Sequence, residues 1–229
     1  MKICCIGDIH GTNKFLKCYD DILKKDNDCE KIIVFGDHFD PYENITAQIC
    51  LEKYDEFNEI RKQDNRIVSL LGNHDLSYYI ISNDKTNRTS RWSCRDFRNA
   101  ILKNLDESYL CYKIGDYLFS HAGVSSDWIN GLEDVYKEKI LNNYTGWTES
   151  ELEKIVSFFP YDRSCYGDDT HQGCTWIRPS ALYTNPYGDY NQVVAHTRVN
   201  EISTIKMTND KDLYLIDTSG KPDYLTLEI

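Results

Sequence analysis

The chain has no apolar run approaching the ~20 residues that would span a bilayer. Its N-terminus, MKICCIGDIHG, meets an aspartate too early for a secretory leader. A cytoplasmic location with no membrane partner is the expectation. A basic excess is lacking too: 26 Lys and Arg face 37 Asp and Glu, a formal net charge of −11. Sequence-independent binding to nucleic acid needs clustered cations, so nucleic acid is not an expected partner. No CxxC pair occurs among the nine cysteines, and their number is odd, which argues against a disulfide framework. Cys4, Cys5 and Cys50 stand in apolar contexts and are expected to be reduced core residues. There is no internal repeat, low-complexity tract or Pro/Gly/Ser linker. A length of 229 residues suits a single α/β domain spanning 1–229.

What is present is alternation. Apolar runs at 3–6, 32–35 and 67–71 alternate with helical patterns at 15–25 and 45–61. Within the first of these helices Phe15, Leu16, Tyr19, Ile22 and Leu23 follow the 3.6-residue period. Strand, helix, strand, helix, strand implies a parallel sheet with right-handed crossovers. Later runs at 110–114 and 117–120 flank Gly115-Asp116, a two-residue hairpin turn. Runs at 192–195, 202–207 and 213–216 add strands, so the sheet becomes mixed in its second half. Thr148-x-x-Glu151 resembles a capping box that opens a helix through Phe158.

The polar residues fall at strand tips. ICCIGDIHG, IIVFGDHFD, IVSLLGNHD, LFSHAG and VVAHT each end a strand and then place a metal-capable side chain; CTWIRP ends in arginine instead. Ligands of open α/β sheets bind at the carboxyl ends of strands, so these tips should converge. Asp8 and His10 are two apart and share one side of an extended segment. With Asp37, Asn73, His121 and His196 they offer carboxylate, amide oxygen and imidazole, a mixture that suits Mn, Fe or Zn rather than Ca. Six ligands fit two divalent ions sharing one aspartate, an arrangement that holds a hydroxide nucleophile and clamps a phosphoryl group. His38 and His171 lack the support of that shared pattern and read as structural or solvent-facing.

GDIHG, GDHFD, GNHD, SHAG and AHT, in that order from Asp8 to His196, resemble the calcineurin-like metallophosphoesterase superfamily. The best-matching branch is the phosphoprotein phosphatase type, which includes bacterial and phage serine/threonine phosphatases and diadenosine tetraphosphatases. The resemblance implies a β-sandwich of mixed sheets flanked by helices, four layers in the order αββα, with a dimetal site at its edge. It implies that Asp8 and His10 bind one metal, that Asp37 bridges both, and that Asn73, His121 and His196 complete the second. It makes His74 the acid that protonates the leaving-group oxygen and Asp40 its orienting carboxylate. Manganese is the favoured metal.

The sequence departs from that branch in two places. Pro41 stands where an arginine that grips the substrate phosphate is usual, and Ala195 replaces the glycine before the last histidine. Arg178, in WIRP, resembles a second phosphate-facing arginine. Arg88, Arg91, Arg95 and Arg98 are spaced to share one helix face, and Arg91 and Arg95 are candidate substrate-binding residues beside Arg178. The expected activity is hydrolysis of phosphate monoesters, serine/threonine protein phosphatase-like, on a phosphoprotein or a small phosphoester. A hydrolase of dinucleoside polyphosphates or another small phosphorylated metabolite is the alternative within enzymes, and a catalytically silent scaffold the alternative outside them.

Overall fold

A computed structural model describes residues 1–80, 94–158 and 167–229. The first half of the chain runs β1 (Lys2–Ile6), α1 (Lys14–Lys25), β2 (Lys31–Val34), α2 (Ala47–Gln63), β3 (Ile67–Leu70), α3 (Asn73–Tyr79), α4 (Cys94–Leu102) and β4 (Ser108–Tyr109). The second half continues with β5 (Cys111–Ile114), β6 (Tyr117–Ser120), α5 (Ser126–Gly131), α6 (Asp134–Leu141), α7 (Glu149–Phe158) and α8 (Pro179–Thr184). Strands β7 (Asn191–Val194), β8 (Ser203–Lys206), β9 (Asp212–Leu215) and β10 (Tyr224–Glu228) close the order.

These strands form two five-stranded mixed sheets, one in the order β10-β1-β2-β3-β4 and one in the order β5-β6-β7-β9-β8. The first is parallel from β1 to β4, with β10 antiparallel on β1. In the second, β6, β7 and β9 are parallel, and β5 and β8 pair antiparallel at the edges. The apolar pattern anticipates one sheet that turns mixed; the chain instead changes sheet at Leu110, between β4 and β5. Periodicity reports which face of a strand is buried, not which neighbour it pairs with. The sandwich implied by the family resemblance is the arrangement observed.

Alternation along the strands sorts the layers. Ile3, Cys5, Ile33, Phe35, Val68 and Leu70 meet Phe119, Val193, Ala195 and Ile216 between the sheets. Cys4, Ile6, Ile32 and Val34 point the other way, onto Phe15, Cys18 and Ile22 of α1 and Cys50, Tyr54 and Phe57 of α2. On the far face of the second sheet, Val194, Leu213 and Leu215 cover Ala181 and Leu182 of α8. Burying one such side chain contributes roughly 1.5–3 kcal/mol against about 1 kcal/mol net for a hydrogen bond. The shared apolar layer therefore sets the spacing of the sheets, and polar contacts across it are positioned by that layer.

Local signals hold where their partners are close in sequence. Gly115 turns the β5–β6 hairpin at φ +55°. Thr148 and Glu151 close a reciprocal capping box, with the Glu151 amide donating to Thr148 Oγ1 at 3.3 Å and the Thr148 amide donating to Glu151 Oε2 at 3.0 Å. Cys4, Cys5, Cys18, Cys29, Cys50, Cys111 and Cys174 are buried and free. No helix among the described residues is long and apolar enough to cross a membrane.

Candidate metal centre

Five strand ends deliver the site. Asp8 and His10 follow β1, Asp37 follows β2, Asn73 and His74 open α3 after β3, His121 follows β6, and His196 follows β7. The first-sheet tips approach closely enough that glycine is required at two of them. A Cβ on Gly36, at φ +85°, would lie 2.4 Å from the Gly72 amide nitrogen, and one on Gly72 would lie 2.1 Å from Asp37 Oδ1. The glycines before Asp37 and Asn73 are thus a steric condition for bringing these two tips together.

The backbone beyond the glycines is strained. His10 (φ +48°), Asp37 (+48°), Asp40 (+57°) and His196 (+57°) account for four of the seven left-handed non-glycine residues among those described. Each such conformation costs about 1–3 kcal/mol and persists only where surrounding contacts impose it. Here the contacts are explicit. The amides of His10 and Gly11 donate to the carbonyls of Asp37 and His38 at 2.6 and 2.8 Å. The buried Asp75 carboxylate accepts from the amides of Gly72, Asp37 and His38 at 2.8–2.9 Å, tying the second and third tips together. Burial and the Asp37 charge push the Asp75 carboxyl up to about 7.

Two groups of metal-capable atoms result: Asp8, His10 and Asp37, and Asp37, His121 and His196, each with its ligand atoms within 4.8 Å of one another. Asp37 belongs to both. Asn73 Oδ1 lies 2.9 Å from His121 Nε2, beside Asp37 Oδ2 at 3.4 Å from the same nitrogen. Nδ1–H of His10 donates to the Phe39 carbonyl at 2.8 Å and Nδ1–H of His121 to the Phe35 carbonyl at 2.6 Å. Both rings therefore aim Nε2 at the carboxylates, the tautomer a ligand needs. His10 Nε2 and His196 Nε2 are buried without a hydrogen-bond partner. Buried polar nitrogens without partners are costly, and cations bound between them and the carboxylates would satisfy them. The donor set fits a divalent metal pair.

Electrostatics point the same way. Burial opposes charge on His10 and His121, yet the adjacent Asp8 and Asp37 outweigh it and raise the two imidazoles to about 9 and about 10. Asp8 and Asp37 are held below the usual carboxylate range despite burial, chiefly by His121. Two ionised carboxylates in a dry pocket demand positive charge, and protons on the histidines supply it where metal does not. His196 behaves oppositely, because burial, His121 and Arg178 all push its imidazole down.

His74 Nδ1 lies 2.8 Å from Asp40 Oδ2, and Nε2 lies 4.0 Å from Asp37 Oδ2 at the edge of the cluster. Burial works against its charge, but Asp37 and Asp40 raise its pKa. Tyr78, one turn along α3, donates its hydroxyl to Asp40 Oδ1 at 2.5 Å. Neither Tyr78 nor Asp75 is singled out by sequence reasoning. An i+4 tyrosine after His74 and the final aspartate of GNHD were signals in plain view, each indistinguishable from ordinary helix residues.

Among the arginines, Arg178 caps α8 and donates from Nη1 to Thr197 Oγ1 at 3.0 Å, beside His196. Arg95 is exposed on α4, and Arg88 and Arg91 lie outside the described residues. Arg98 is committed elsewhere: it ion-pairs with Glu149 and lies over the Tyr79 ring. His38 packs among Tyr54 and Phe57, and burial followed by the Arg61 charge drives its imidazole to about 3. His171 is exposed beside Asp169.

A family model described as calcineurin-like phosphoesterase matches residues 1–197. Among solved structures, a protein serine/threonine phosphatase from Saccharomyces cerevisiae is similar at 14% identity and a TM-score of 0.51, over 95% of this chain and 67% of that one. A hypothetical protein from Pyrococcus horikoshii OT3 is similar at 11% identity and a TM-score of 0.52, over 100% and 87%. A metallophosphoesterase from Sphaerobacter thermophilus aligns at 16% identity and a TM-score of 0.46, over 100% and 84%. No curated protein matches the chain significantly. At these identities the first two likenesses speak for the fold alone.

Proposed function

The chain belongs to the calcineurin-like phosphoesterase family, and from that premise we propose that it hydrolyses phosphate monoesters at two divalent cations, in the manner of a serine/threonine protein phosphatase. The observation that carries this is the sharing of Asp37 between two ligand groups, with an oriented histidine at their edge. Asp8 and His10 would hold one cation, Asn73, His121 and His196 the other, and Asp37 both, with manganese as the favoured metal. Such a pair supplies Lewis acidity and a nucleophile drawn from water at neutral pH.

The chain's own residues then do the remaining work. The carbonyls of Phe39 and Phe35 hold His10 and His121 with Nε2 facing inward. Asp40 holds a proton on His74 Nδ1 and favours the imidazolium, so that Nε2–H can protonate the departing alkoxide. Arg178 presents positive charge beside His196. Hydrolysis in this scheme passes through no phosphorylated residue.

We read residues 1–229 as one functional unit, supported by the pairing of β10 with β1. We place it in the cytoplasm, supported by its buried reduced cysteines. The test is a Mn²⁺-supplemented panel of p-nitrophenyl phosphate, phosphoserine and phosphothreonine peptides, diadenosine tetraphosphate and cyclic dinucleotides. Turnover of the monoesters, with phosphopeptides preferred, is expected. Preference for diadenosine tetraphosphate would replace the phosphatase reading, and no turnover at full metal occupancy would leave a scaffold.

A further inference from the structure

We infer that Arg198 is a substrate-phosphate-binding residue of this site, seated by stacking on Tyr42; the inference rests on the phosphoesterase reading above. Its guanidinium carbon lies 3.3 Å from the centroid of the Tyr42 ring. At that separation the group must lie flat on the ring, because an edge-on approach would drive a nitrogen into the π face. Tyr42 packs in turn against His10, with ring centroids 4.4 Å apart, and His10 against His74 at 5.1 Å. A single aromatic ring thus links the cation to the metal cluster, although Arg198 and Tyr42 follow strands of different sheets.

Stacking engages the face of a guanidinium, while its N–H donors lie in the plane, in the fork that matches two oxygens of a phosphate. The loop that carries Asp37 and Asp40 supplies no cation of its own: it runs Asp37, His38, Phe39, Asp40, Pro41, and proline has no N–H to donate. Lys14 is buried and faces Asp217 at 3.8 Å. Arg178 reaches the turn at 196–197 from α8, and Arg198 leaves the same turn toward Tyr42, so two guanidiniums bracket it. In a chain of net charge −11, an anionic substrate needs local positive charge to overcome the general field. The bracket places that charge beside the cluster.

The test compares wild type with Arg198→Ala, Arg198→Lys and Tyr42→Leu. Each Mn²⁺-loaded protein is titrated calorimetrically with inorganic phosphate and assayed with p-nitrophenyl phosphate, alongside metal content and melting temperature. Arg198→Ala is expected to weaken phosphate binding and raise KM about ten- to hundredfold, the loss of one or two charge-assisted hydrogen bonds, at unchanged metal content. Arg198→Lys should recover part of that loss, because an ammonium restores charge without the fork. Tyr42→Leu should give a smaller loss of the same kind. Phosphate binding and KM unchanged in Arg198→Ala, with wild type competent, would overturn the inference alone. Metal lost in parallel with phosphate would also overturn it, making Arg198 a support of the cluster. A wild type that neither binds phosphate nor turns over substrate would remove the phosphoesterase reading, and the inference with it.

Discussion

The two sheets bring different chemistry to the same edge. From the tips of the first come the buried carboxylates of Asp8, Asp37, Asp40 and Asp75. The second sends the imidazoles of His121 and His196 and, from the turns around them, the guanidiniums of Arg178 and Arg198. Asp217, a carboxylate at the second sheet's own tip, faces Lys14, which α1 carries across from the first. The internal ties differ as well. First-sheet tips are bound to each other by backbone hydrogen bonds and by Asp75. The second sheet is joined to them by His121 Nδ1–H on the Phe35 carbonyl and the His196 amide on Asp8 Oδ1. The first sheet therefore holds the carboxylates with two imidazoles of its own, His10 and His74, and stacking of the sheets adds His121 and the two guanidiniums. Like charges gathered in a dry pocket are tolerated only when opposite charge arrives with folding.

The sharpest way to break this comparison is at Asp37, which serves both ligand groups. Asp37→Ala should lose metal, read by elemental analysis, and at least about a thousandfold in kcat/KM, the several kcal/mol that metal ions supply. Retained metal with such a loss would mean that Asp37 is not shared. Next in size is His74→Ala, which should keep metal and lose about 10²–10⁴-fold toward alkyl phosphates. The loss should shrink with p-nitrophenyl phosphate, whose leaving group needs no proton; equal losses on both substrates would deny His74 the acid role.

A third expectation concerns protons standing in for metal. With His10 and His121 raised to about 9 and about 10 in the metal-free protein, metal loading near pH 8 should release about two protons. The apparent affinity for each cation should then rise roughly tenfold per pH unit up to about pH 9, measured by titration at several pH values, with the proton count read from buffers of different ionisation enthalpy. The same shifts stabilise the chelator-treated protein. That contribution is fully present below about pH 6.5 and is lost as pH rises through 9 and 10, which melting curves in chelator would show. The smallest expected effect is Tyr78→Phe. Removing the hydroxyl from Asp40 should cost about 1 kcal/mol of orientation, roughly a fivefold fall in kcat with KM unchanged.

Much of this was legible in the chain, for a physical reason that varies by residue. His38 and His74 each stand two residues after a tip glycine, and the structure separates them: it buries His38 among aromatic rings and sets His74 against Asp40. Arg98 shared a helical spacing with Arg95, but spacing says nothing about Glu149, some fifty residues on, which claims it. Asp75 was hidden because its partners are backbone amides, two from the loop after β2 and one from the N-cap of its own helix, and no sequence pattern announces the donors of another loop. The later strands were recognised as strands and assigned to the wrong sheet, because alternation of burial is the same on either side of the sandwich.

What the sequence by itself determined is the chemistry and its order: glycine where tips must touch, carboxylate, amide and imidazole at strand ends, apolar alternation behind them. These are local properties, written in a few consecutive residues. What only the tertiary structure decided is which tips come within ligand distance of one another and where each arginine rests. Arg198 over Tyr42, Tyr78 on Asp40 and Asp75 under three amides are meetings between loops, and their free energy comes from the apolar layers that bring those loops within reach.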